Sequence, residues 1–182
     1  MQGDHKSIYW VMSVLIMIIT PIVSLFLPVF VAVTGYNDIR EIVFMPLPAS
    51  IFASFVAFGL LALVVGLLYF VKRLWVVVGS LFVTIGVGIY LIFLGIDSYI
   101  YLHEDFIENS PFAKESVIYE WADLEGIKHE LVDTELDSDE KYIFEFKDGY
   151  SFEMTASGLV DYTVKSAIYK KAMNLEIPFE EY

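Results

Sequence analysis

The chain has no cysteine, so disulfides, thiol nucleophiles and thiolate metal sites are excluded from the start. Charge is missing over three long stretches, residues 7–37, 42–71 and 74–96, which hold no Asp, Glu, Lys, Arg or His. Proton relays, ion-coupled carriers and voltage sensors place such a residue at membrane depth, so a pump or transporter is not expected. Phosphate-cradling glycine loops are also missing, since Gly126, Gly149 and Gly158 stand alone, and nucleotide binding has no support. Basic residues are scarce enough to leave a net charge of −13, which argues against nucleic acid as a partner.

What is present is apolar. At 182 residues, 57% hydrophobic composition and a mean hydropathy of +0.63 are too high for a soluble domain, and lipid must shield the excess. Each charge-free run exceeds the roughly 20 residues a helix needs to cross the hydrocarbon, and none alternates as a barrel strand would. The expected fold is therefore membrane α-helical, with three transmembrane helices near residues 9–33, 51–71 and 75–94, followed by a small α+β domain. The first run is too long for a signal-peptide core and is read as a retained helix. Residues 1–98 carry four acidic and four basic side chains, whereas residues 99–182 carry twenty and seven. The boundary is accordingly placed between 98 and 99.

The Lys72-Arg73 pair in the link between the second and third helices is expected to be cytoplasmic, which puts the Arg40 loop and the acidic domain outside. Small residues recur at helix-contact spacing, as Ala53, Ala57, Ala62 and Gly66, and as Ser80, Thr84 and Gly88. They are expected to pack within the chain, with a homo-oligomer as the alternative. The hydroxyls of Ser13, Thr20, Ser24, Ser54, Ser80 and Thr84 are expected to bond their own helix backbone. Pro21 and Pro28 should bend the first helix. Residues 37–48 end in a Pro-Leu-Pro run and are read as extended or interfacial, with Phe44 and Met45 at headgroup level.

In the second half, strands are expected at 99–107, 116–121, 127–132, 141–147 and 150–155, and a helix at 159–174 with Val160, Val164, Ala167, Ile168 and Ala172 on its buried face. Asp161 and Lys170-Lys171 complement that helix's dipole. A three-residue loop Lys147-Asp148-Gly149 would pair Phe146 with Tyr150, Phe144 with Phe152 and Tyr142 with Met154. All six large side chains then share one face, Gly149 fills a left-handed bulge position, and Glu145, Lys147, Ser151, Glu153 and Thr155 face water. One-sided sheets of this kind are antiparallel.

The strand order, the stretch Tyr119-Glu120-Trp121-Ala122-Asp123-Leu124-Glu125-Gly126-Ile127, the Asp148-Gly149 hairpin and the closing helix resemble bacterial pleckstrin-homology-like domains attached to membrane helices. The resemblance covers about the last 80 residues. It implies a bent antiparallel sheet capped by a C-terminal helix and a role in binding or assembly, and it transfers no site residues. The acidic loops depart from the basic loops of lipid-binding members of that superfamily.

Candidate sites give little chemistry. The acidic run Asp133 to Glu140 fails the calcium-loop template, because the sixth position from Glu135 is Glu140 and the twelfth is Phe146. His103-Glu104 and His129-Glu130 lack a second histidine four residues on, where Ile107 and Asp133 stand, and are read as surface side chains. Trp121 is read as core. No catalytic, cofactor-binding or metal-ligating residue is nominated, and no cofactor. The expectation is a non-enzymatic protein whose partners are the lipid bilayer and a second protein with a basic surface. A sensor or channel-like subunit binding a lipid or hydrophobic ligand among the helices is the alternative.

Overall fold

The computed structural model describes residues 4–35, 40–71, 73–134, 137–156 and 160–182. The chain forms two compact units, one of Met1–Gly35, Pro46–Tyr99 and Pro111–Lys114, the other of Tyr36–Met45, Ile100–Ser110 and Glu115–Tyr182.

The first unit is helical. Helix α1 spans Asp4–Gly35 and continues through Pro21 and Pro28. Helix α2 spans Pro48–Leu67, with proline at its first turn where no backbone donor is lost, and a 3₁₀ turn, Leu68–Phe70, extends it. Helix α3 spans Leu74–Ile96. Three stretches, Ser7–Val31, Pro48–Phe70 and Trp75–Ile96, are long and apolar enough to cross a membrane, as the charge-free runs predict. Side chains such as Met17, Phe26, Trp75 and Phe82 point away from the bundle, which suits contact with hydrocarbon and not with water.

Helix α2 lies between the other two, and its small residues make that possible. Ala53, Ala57 and Ala62 are all buried. A Cβ at Gly95 would come within 3.1 Å of the Ser50 carbonyl oxygen and of the Ala53 Cβ, and one at Gly66 within 2.9 Å of the Ser13 Oγ. Thr20, Ser54, Ser80 and Thr84 bond carbonyls of their own helices, as expected. Ser13 differs, because its hydroxyl donates across to the Ala62 carbonyl at 2.7 Å and ties α1 to α2. Ser24 differs as well, since its buried Oγ has no partner among the described residues.

Among the described residues, the second unit contains two four-stranded sheets and one helix. The first sheet has the order β1 (Glu41–Pro46), β2 (Tyr99–His103), β3 (Phe106–Ser110), β4 (Val117–Glu120). Strand β1 bears out the extended alternative for this segment and corrects the placing of Phe44 and Met45 at headgroup level. Val43, Phe44 and Met45 are buried, Phe44 sits 6.1 Å from the Tyr101 ring, and neither Phe44 nor Met45 is free to rest among headgroups. The single strand expected at 99–107 is two, divided at the exposed Glu104-Asp105 step.

The second sheet has the order β7 (Ser151–Ala156), β6 (Asp137–Phe146), β5 (Leu124–Thr134), β8 (Phe179–Glu181). The β6–β7 register is the expected one: Tyr142 faces Met154, Phe144 faces Phe152, and the Phe146 amide donates to the Tyr150 carbonyl at 2.9 Å. Gly149 adopts φ of +86°, which a side chain would strain. Strand β8 was not expected, and it pairs with β5 in parallel, so the sheet is not wholly antiparallel. Helix α4 spans Tyr162–Asn174, and the Asp161 carboxylate accepts from the Val164 amide at 2.9 Å as its N-cap. The start expected at residue 159 lies outside the described residues, as does Lys72.

Candidate functional site

Polar chemistry in the second unit gathers at one end of the core under α4. Cross-strand pairing puts Ile127 opposite Phe144 and His129 opposite Tyr142, so His129 belongs to the apolar face of the sheet. Its ring stacks on Tyr142 at 4.6 Å. Nε2 lies 3.2 Å from Glu140 Oε2, and Nδ1 lies 3.9 Å from Glu181 Oε1 on β8. Lys165 of α4 donates to the same Glu140 carboxylate at 2.5 Å. Those bonds, first that of Lys165 and then that of His129, hold the Glu140 carboxyl below the usual carboxylate range although burial opposes them. Burial, with Glu140 and Glu181 adding to it, pushes the Tyr142 hydroxyl up to about 12. These contacts make a clasp that links β5, β6, β8 and α4.

A second polar corner follows from the Trp-x-Asp-Leu turn. Asp123 accepts from the Glu120 amide at 3.1 Å and closes a 3₁₀ turn over Trp121–Asp123. That turn buries Trp121, whose Nε1 donates to the His103 carbonyl at 2.8 Å, so Trp121 is core. Tyr119 donates to Asp148 at 2.7 Å. The bond pushes the Tyr119 hydroxyl up to about 12, and it holds Asp148 low together with the Tyr150 amide.

The reading of both histidines as surface residues is corrected. His103 is only 3% exposed, stacks on Phe106 at 4.7 Å and accepts through Nδ1 from the Asp105 amide. His129 has a side chain that is 14% exposed. The acidic run 133–140 forms the end of the β5–β6 hairpin, which stays paired as far as Thr134 and Asp137; residues 135 and 136 and the side chains of 132–139 lie outside what is described. Among the described residues, no three His, Asp or Glu side chains are grouped to hold a metal ion.

Two open hollows of about 390 and 580 Å³ lie beside Pro178. The first is lined by Gly126, Lys128, Glu145, Glu180 and Tyr182, the second by Leu124, Lys147, Leu175, Glu176 and Ile177. Glu125 and Pro178 line both. In the helical unit, a groove of about 140 Å³ runs between α2 and α3 past Ala57, Leu61, Thr84, Gly88 and Ile92. Sequence reasoning missed the first hollow because β8, whose Glu180 lines it, has too short a signal to be recognised. Comparison with protein-family models, with curated proteins and with solved structures finds no match to this chain.

Proposed function

We propose that the chain is a non-enzymatic multi-pass membrane protein that presents its acidic β domain to another protein, in an accessory, regulatory or immunity-type role. The observation that carries this reading is an unbalanced field. Residues 99–182 hold twenty carboxylates against seven lysines, and three of those lysines, Lys128, Lys141 and Lys165, are already committed to Glu145, Glu153 and Glu140. A partner with a basic surface would be drawn to such a domain and oriented by it. Two sheets with a helix after the seventh strand support the resemblance to pleckstrin-homology-like domains, and that resemblance favours binding over catalysis. The charge of the α2–α3 link supports placing the domain outside the cytoplasm of a cell membrane.

The apolar groove between α2 and α3 supports a second reading, a sensor or channel-like subunit that takes a lipid or hydrophobic ligand. Purification in mild detergent separates the two. The first expects a stoichiometric protein partner that dissociates in high salt; the second expects a retained lipid on native mass spectrometry and no such partner. A chain that carries neither would overturn both.

A further inference from the structure

The two hollows beside Pro178 adjoin at Glu125 and Pro178, which line both, and together they make a two-part groove. Its lining is mixed, with an apolar part from Leu124, Leu175, Ile177 and Pro178. Its rim is acidic, with Glu125, Glu176 and Glu180 exposed. Of the lysines nearby, Lys128 feels the charge of Glu180 but none is paired with Glu125 or Glu176. Lys128 pairs with Glu145 at 2.5 Å, and Lys147 donates to the Ala122 carbonyl at 2.6 Å. Among the described residues, Glu125, Glu176 and Glu180 form no ion pair, and Glu180 accepts only from the Tyr182 hydroxyl.

Two backbone irregularities deliver carboxylates to this rim. The β5–β6 register steps from Leu124 opposite Phe146 to Gly126 opposite Glu145, so Glu125 is the extra residue of a bulge, a device that re-aims a side chain. Glu176 has φ of +55° just beyond α4, where the Ile177 amide returns to the Ala172 carbonyl at 2.9 Å. That left-handed position is normally given to glycine or asparagine, and a glutamate there costs stability. Strain of this kind at a residue lining a groove motivates a functional hypothesis.

We infer that this groove is the docking site for an extended segment of a partner protein in which Lys or Arg side chains flank an apolar residue. The apolar side chain seats on Leu124, Ile177 and Pro178, and the cations meet Glu125, Glu176 and Glu180. The inference rests on the protein-contact reading above and names the partner chemistry for it.

The test uses the full chain in detergent and, as probe, a short fluorescent peptide alternating arginine and leucine, with a glutamate–leucine peptide as control. Saturable, salt-sensitive anisotropy changes are expected with the first peptide only. The triple variant Glu125→Gln, Glu176→Gly, Glu180→Gln should weaken binding about tenfold. Glu176→Gly alone should weaken binding while leaving the thermal midpoint equal or higher, opposite signs that a purely structural role would not produce. Equal binding of both peptides, or no loss in the triple variant, would overturn the proposal. A co-purifying partner that stays bound to the triple variant would remove the groove and leave the protein-contact reading standing; peptide binding that tracks the variants in a chain without any co-purifying partner supports the groove on its own.

Discussion

Burial and pairing give single residues their weight. Phe144 is fully buried, stacked on Phe152 at 4.9 Å and edge-on to Trp121, so Phe144→Ala should cost about 3–5 kcal/mol, read as a lower denaturant midpoint in Trp121 fluorescence. Glu140 supplies a pH-dependent term. Its carboxyl is held low in the folded chain, so its contribution is complete above the unfolded value of about 4.3 and is lost as the pH falls through the lower folded value. Glu140→Gln should therefore flatten the fall in thermal midpoint below about pH 5, and an unchanged acid limb would show that Lys165 and His129 do not stabilise this carboxylate. At this scale the sequence was only partly legible. Trp121 closes an apolar strand and announces itself as core, whereas His103 and His129 each sit beside a glutamate that suggests exposure. What buries them is an aromatic neighbour, Phe106 for one and Tyr142 for the other.

Elements were legible where their signal is local. The β6–β7 hairpin follows from six large side chains at alternate positions and one Asp-Gly turn, and even its register could be derived. Strand β1 could not. Its buried residues Val43, Phe44 and Met45 are consecutive, they adjoin a Pro-Leu-Pro run, and their neighbouring strand lies more than fifty residues further along. Three-residue β8 pairs in parallel after an intervening helix and carries no periodicity of its own. The hollow lined by Glu180 of β8 was hidden for the same reason. Among the helices, close approach decides what can be changed. Gly95→Val would force a side chain against the Ser50 carbonyl and Ala53, and should cost about 1–3 kcal/mol, seen as earlier thermal aggregation of the detergent-solubilised chain. Gly86 has nothing within 4 Å of its added Cβ, so Gly86→Ala should be neutral or stabilising by up to about 1 kcal/mol in the same assay.

For the whole molecule, the division into an apolar helical half and an acidic β half was plain from where charge is absent. The membership of residues 36–45 in the second unit was not, because pairing between distant strands leaves no mark on composition. Helices α2 and α3 lie between β1 and β2 in the chain, and two membrane crossings return it to the side it left. The Arg40 segment and the acidic domain therefore share one side. A protease-cleavable tag after Tyr182 should be cut in intact cells and protected in inverted vesicles, and the reverse pattern would move both segments to the cytoplasm.

The same arrangement sets an order of events during synthesis. Strand β1 leaves the ribosome before α2 and α3, but its sheet neighbour β2 comes only after them, so β1 must wait through two insertions before the domain can close. A chain in which one of those helices fails to insert would strand β1 and β2 on opposite sides of the bilayer. It would expose Val43, Phe44 and Met45 without a sheet to cover them, the kind of surface by which cellular proteases recognise an unfinished product. Pairing of β1 with β2 thus requires an even number of crossings between them and is incompatible with one.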